Sequence, residues 1–376
     1  MSFTLSTLWH DRQRYLPGIL AVGFSSLLIA LQCGLLLGLF SVTSIPIDHT
    51  KAHIWVGSPK VKSVDLGGPI PEIFVDRVAN EPEVARTEPY IQSFGKWKSP
   101  KGGTELCVVI GCRLSENAIG AIHELTPDLR EKLTEPGSVV IDESEFDRLG
   151  VDKVGDTAEV FGQRSGGRPI RVVGKVTGLK GIAGPYIFCS LSTAQEILGM
   201  HGQVTFLLAQ CTNPADAPAV VERLKKYEEE MLAWESYDFS IQSRLHWLFK
   251  TKAGIALGYA ALLGLIVGAV VTSQTLYAAT IASMREYAIL LALGIPRWRL
   301  VGTVLAQAFW VGVAGVIFSI PITFLLGEAA NRAGAKVLLP AELIAGAAAV
   351  TMMMAVGAGL MALRSLRHIE PVNLLR

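Results

Sequence analysis

Arg285 with Glu286 and Arg297 with Arg299 bracket a run that carries no charge: Tyr287, Ala288, Ile289, Leu290, Leu291, Ala292 and Leu293. These residue types make and break no bonds; their chemistry is that of a docking helix. Two turns fall far short of the about 20 residues that cross a bilayer. A helix apolar on every side must nevertheless be buried on every side. One side can pack on the chain itself. The other calls for a partner, because large exposed apolar patches mark binding sites. Gly294 suits the end of such a helix and Pro296 the start of the next. The expected contact set is Arg285, Glu286, Tyr287, Ile289, Leu290, Leu293 and Gly294, a handle by which a cytosolic partner would move the neighbouring helices.

The remaining candidates for chemistry are few. The chain has no G-x-x-x-x-G-K-[ST] phosphate loop and no H-E-x-x-H, G-x-S-x-G or kinase-type motif, so the expectation is no catalytic role and no nucleotide site of its own. His49 and His53 stand four apart beside Asp48, a spacing that could place two metal ligands on one helix face. His53, however, opens a predicted strand and no third ligand is apparent, so no metal is expected. Cys107, Cys112, Cys189 and Cys211 fall in a block expected to face outward, where disulfides can form. Cys107 and Cys112 lie an odd number of residues apart and would point to opposite faces of one strand. Buried free thiols are an equal reading.

The elements that position these residues follow from hydropathy. Half of the residues are hydrophobic and the mean hydropathy is +0.40. Residues 16–40, 253–284, 300–327 and 343–363 carry no charge, and each is long enough to span a bilayer. Arg12, Arg14, Arg285, Arg297, Arg299, Arg364, Arg367 and Arg376 lie near one set of span ends, against Arg332 and Lys336 on the other. That bias puts both termini in the cytosol and the block between the first two spans outside. The expected division is a cytosolic amphipathic segment (1–15), a first span (16–40), an outward α+β domain (41–252) and a second span (253–280). A coupling segment (281–299), a third span (300–326), an outer loop (327–342), a fourth span (343–363) and a cytosolic tail (364–376) follow. The fold class is thus membrane α-helical, four transmembrane helices with a large extracytoplasmic α+β domain inserted between helices 1 and 2. The apolar stretch at 16–40 exceeds a signal-peptide core and reads as a retained anchor.

Within the outward block, strands are predicted at 53–57, 105–111, 138–141, 157–162, 170–176, 186–190 and 204–209. Ser192 and Gln195 form a capping box for a helix ended by Gly199. Val220, Val221, Leu224, Tyr227 and Met231 recur at helical spacing. His246, Trp247, Phe249, Lys250 and Lys252 make an aromatic and basic collar at the outer interface. The spans hold Gln32, Gln274 and Gln307 but no Asp, Glu, Lys or Arg, which speaks against a proton-driven pump. Gly254, Gly258, Gly264 and Gly268 put small residues along the second span, and a contact between two copies is expected there. A net charge of +1 argues against nucleic acid as a partner.

One span, a large outward insert and three further spans is the layout of the MacB/FtsX-type permeases of ABC transporters. The stretch QTLYAATIASMREYAILLALGIPRWRL resembles the coupling segment of that family, with Arg285, Glu286, the apolar run and Gly294 in place. LWHDRQRYLPGILAVGFSSLLIALQCG, HIWVGSPK, EPYIQSFGKWKSP, VVIGCRLSENA and PGSVVIDESEFDRLG are similar to its DevC branch. The resemblance implies an inner-membrane permease that works as a homodimer with a separate ATPase, which binds the ATP and magnesium. It also implies a periplasmic membrane-fusion adaptor and export of a lipid, glycolipid or other envelope substrate. The other reading the resemblance allows is an FtsX-like regulator that switches an extracytoplasmic partner such as a cell-wall hydrolase.

Overall fold

Residues 12–162, 165–282, 289, 293, 295–333 and 335–366 are described by the structure, a computed structural model; at 12–14, 276, 279, 280, 297 and 361–366 the backbone alone is described. The chain divides into two compact units, Phe40–Thr251 and the remainder, Met1–Leu39 with Lys252–Arg376. The predicted amphipathic segment 1–15 lies mostly outside the described residues; α1 (Arg12–Thr43) carries the first apolar stretch.

The outer unit begins with α2 (Ile45–Asp48), a single turn with Pro46 in its first positions. There follow β1 (Ile54–Gly57), β2 (Ile70–Pro71), α3 (Phe74–Ala79), β3 (Val84–Lys98), β4 (Thr104–Cys112) and α4 (Pro127–Lys132). The chain continues through β5 (Ser138–Asp142), α5 (Phe146–Leu149), β6 (Thr157–Phe161), β7 (Gly167–Val176), β8 (Tyr186–Ser190) and α6 (Leu191–Leu198). It ends with β9 (Gln203–Val204), β10 (Phe206–Cys211), α7 (Ala217–Leu224), β11 (Leu232–Glu235) and α8 (Ser236–Lys250).

The main sheet runs β11-β1-β10-β3-β4-β8-β5-β7-β6, and β6 pairs back onto β3 from Lys96↔Phe161 to Lys98↔Glu159. Six strands therefore close on themselves, which leaves them no free edge. β3 makes both structures possible. Its first half pairs with β10, and its second half pairs with β4 and β6. Gly95 permits this double pairing, since a Cβ there would sit 3.3 Å from side-chain carbons of both Val109 and Val160. Side chains alternate between two cores, as strand pleating requires: Ile54 and Val56 go to one, Trp55 to the other.

Six of the seven predicted strand windows match β1, β4, β5, β6, β7 and β8 to within a few residues, and the seventh divides into β9 and β10. Strands β2, β3 and β11 are additions. The predicted capping box shifts: the N-cap is Ser190, whose Oγ accepts from Thr193 N, while Gly199 ends the helix in the left-handed region at φ 66°. The helix predicted over Val220–Met231 stops at Leu224 and gives way to a tighter turn, because Met231 must enter the core beside β11. All five cysteines are free. Burial pushes the Cys107 and Cys112 thiols up to about 12, so they pack as small apolar groups.

The second unit continues with α9 (Lys252–Ala282), α10 (Arg297–Arg332) and α11 (Ala341–Leu366). Among the described residues four helices are long and apolar enough to cross a membrane, within Tyr15–Thr43, Lys252–Thr275, Trp298–Arg332 and Ala341–Leu360. α11 packs against both α9 and α10. α1 meets α10 where glycines face each other, a Cβ on Gly23 falling 3.1 Å from Gly315 O. The loop after α10 returns to α1, with Leu338 N donating to Gly34 O at 3.1 Å and Asn331 Oδ1 accepting from Val337 N at 2.7 Å.

Candidate functional site

The outer unit joins the spans through two pieces of chain, 44–48 after α1 and α8 before α9. These pieces are fastened to each other. Asp48 Oδ2 accepts from Arg244 Nη2 at 2.7 Å and from Ser44 Oγ at 2.6 Å, while Oδ1 accepts from Ser240 Oγ at 2.7 Å. Arg244 Nε donates to Ser44 Oγ at 2.9 Å. Helical spacing explains the set: Ser240 and Arg244 lie four apart and so share a face of α8. On the same helix Ser236 N donates to His53 O at 2.9 Å, and Ser243 Oγ accepts from Val64 N at 3.1 Å. Any motion that separates the two connections must break a charge-assisted network.

Beneath this network Phe239 is fully buried among aromatic rings. It stacks on Trp234 at 4.7 Å and lies 5.8 Å from Trp55 and 5.7 Å from Phe206. Charge sets the register of α8, and apolar burial supplies most of its hold. Trp247 of the predicted collar donates from Nε1 to Ser63 Oγ at 3.2 Å. Phe249 remains exposed as the collar requires.

The predicted pair of histidines separates. His53 Nδ1 accepts from Cys211 N at 3.2 Å, while His49 Nδ1 meets Glu124 Oε1 at 2.6 Å and its ring stacks on His123. Among the described residues no three such side chains are grouped to hold a metal.

Of the predicted handle, Arg285, Glu286, Tyr287, Leu290 and Gly294 lie outside the described residues. Ile289 and Leu293 are exposed, at 46% and 74%, and Trp298 beyond them at 70%. In the spans, Gly268 O accepts from Ser25 Oγ at 3.1 Å, and Ser25 Oγ lies 3.0 Å from Thr272 Oγ1. A Cβ on Gly264 would fall 2.0 Å from Gln32 Oε1. At 264 and 268 the small residues let α1 approach within one chain. Gly254 is buried and Gly258 half-buried.

Four apolar helices and an α/β unit inserted after the first define the class: a multi-pass membrane protein organised around one outward insert. Residues 19–227 match the MacB-like periplasmic core domain, and residues 258–371 match the FtsX-like permease C-terminal family. The chain belongs to the MacB/FtsX-type permeases of ABC transporters, non-catalytic subunits that work with an ATPase subunit. Among solved structures it is similar to the periplasmic region of MacB from Actinobacillus actinomycetemcomitans (13% identity, 52% of this chain and 94% of that one, TM-score 0.34). It is also similar to the extracellular domain of YknZ, an ABC-type transporter of Gram-positive bacteria (9% identity, 49% and 100%, TM-score 0.35). No curated relative matches the chain.

Ser44, Asp48, Ser240 and Arg244 were not among the predicted site residues. A signal for them existed. A lone acid follows the first span and a lone arginine precedes the second, at the two ends of one inserted domain.

Proposed function

We propose that this chain is the permease subunit of an ABC export system, and that a separate ATPase docks on the segment from Arg285 to Gly294. Glu286 orients the contact, while Tyr287, Ile289, Leu290 and Leu293 fill an apolar groove on the ATPase. Closure of the ATPase then shifts the spans, and the paired connections at Asp48 and Arg244 pass that shift to the outer unit. The observation that carries the reading is the exposure of Ile289 and Leu293 between two apolar spans, in a chain of this family.

The finer reading has four parts. The chain resides in a bacterial inner membrane with both termini in the cytosol and residues 41–252 in the periplasm. Two copies form the working unit. The open face of α9, with Tyr259, Leu262, Ile266 and Val270 exposed, offers the contact between them, alongside the half-buried Gly258. The outer unit engages a membrane-fusion adaptor and, as in the DevC branch, moves a lipid, glycolipid or other envelope substrate from the outer side. ATP and magnesium bind the ATPase.

The test is Leu290→Asp, which would place a charge in a desolvated contact at a cost of several kcal/mol. The variant permease should insert and dimerise, while ATPase co-purification and transport-linked ATP hydrolysis fall sharply. Unchanged binding and turnover in both Leu290→Asp and Glu286→Lys would refute the docking.

A further inference from the structure

Asp65 lies in the short turn Val64–Leu66 and is only 3% exposed. Its Oδ1 accepts from Gln92 Nε2 at 2.9 Å and from Tyr186 OH at 3.3 Å. Its Oδ2 and Gln92 Oε1 are both buried and both without a hydrogen-bond partner. A carboxylate in this position would set two bare acceptors beside one amide–carboxyl bond, with no cation to balance the charge. Such burial is costly. A single proton on Oδ2 corrects both faults, because it removes the charge and supplies the donor that Gln92 Oε1 lacks.

We propose that Asp65 is a proton-binding site of the outer unit. It holds a proton on Oδ2 and donates it to Gln92 Oε1, closing a two-bond acid–amide pair that keeps the turn, and with it α8, on the sheet. The link from turn to helix is direct: Trp247 Nε1 donates to Ser63 Oγ, Val64 N to Ser243 Oγ, and Gln242 Nε2 to Val61 O.

The groups that face the carboxyl are Gln92 and Tyr90 from β3, Tyr186 from β8 and Trp247 from α8. Burial raises both tyrosines well above their ordinary range, so they remain protonated. Lys62 and Lys250 act on His246, which burial and then those two lysines hold low. For Asp65 itself burial dominates and raises it from 3.8 to about 7, against the lowering pull of the Tyr186 hydroxyl, the Gln92 amide and the neighbouring Trp247 indole.

The sign follows. Opening the turn returns Asp65 to water and its ordinary range, so between about pH 4 and about pH 7 each opening releases one proton. The opening constant then rises about tenfold per pH unit, and is flat above and below that window.

Hydrogen exchange on the full chain in lipid nanodiscs tests this, after correction for the intrinsic pH dependence of amide exchange. Protection of segments 61–66 and 240–248 should fall about a hundredfold from about pH 5 to about pH 7. In Asp65→Asn, whose amide makes the same two bonds without a proton, it should not change with pH. Infrared spectra below pH 7 should show a protonated-carboxyl band that Asp65→Asn removes and that Gln92→Met shifts towards a free acid. Protection independent of pH in the unmodified chain overturns the proposal. So does a carboxyl spectrum in which neither substitution alters a protonated band.

Discussion

Asp48 and Asp65 both bear on α8, and their carboxyls meet different surroundings. The Asp48 side chain is 33% exposed and takes a guanidinium and two hydroxyls. Asp65 is buried, has no cation, and is met by an amide and a phenol. With water and Arg244 at hand, one carboxyl can serve as a charge. Lacking both, the other is better served by a proton. The same residue type thus makes a salt-sensitive fastening at the edge of the unit and a proton-sensitive one inside it.

The strongest way to break this comparison is to remove what both attachments share. Phe239→Ala takes a fully buried ring from beside Trp55, Phe206 and Trp234 and should cost about 3–5 kcal/mol. Denaturant unfolding should show the outer unit destabilised by that amount, with protection of α8 lost at every pH.

Asp48→Ala separates the two carboxyls. It leaves Ser240 and Arg244 without their acceptor at a partly exposed site, a loss of about 1–2 kcal/mol. A double-mutant cycle with Arg244→Ala should give a coupling of about 1 kcal/mol or less that shrinks as salt is raised. Protection at segment 61–66 should keep its pH slope in the Asp48→Ala chain.

Gln32 extends the comparison into the spans, since its Oε1 is also buried without a partner. Gln32→Met should change stability by about 0–1 kcal/mol, because membrane hydrogen bonds are modest even when fully formed. A thermal-stability assay in detergent checks it, and a larger loss would mean that the amide holds α1 to α9 through its other end.

Much of the architecture was legible because the strongest signals are local. Charge-free length marks the spans, and short continuous apolar runs such as Tyr186–Ser190, buried on both faces, mark the core strands. β3 escaped for a physical reason: Pro89 and Gly95 interrupt it, and it buries Glu88 and Gln92, residues that read as loop. Its structure is imposed by two partners distant in sequence. The fastening between Asp48 and Arg244 left only a faint trace, a lone acid after the first span and a lone arginine before the second, since nearly two hundred residues separate them and neither belongs to a motif.

The central claim is that ATP-driven motion reaches the outer unit through the coupling segment. Spin labels on Tyr237→Cys, an exposed position on α8, report it directly in the purified permease–ATPase complex. Cys33, which is only half-buried, is replaced by serine in this chain, and the buried Cys107, Cys112, Cys189 and Cys211 do not compete for the label. The distance distribution between the two copies should differ between nucleotide-free and ATP-trapped complexes, and Leu290→Asp should abolish that difference. An identical distribution in both nucleotide states, or a difference that survives Leu290→Asp together with Glu286→Lys, would contradict the account.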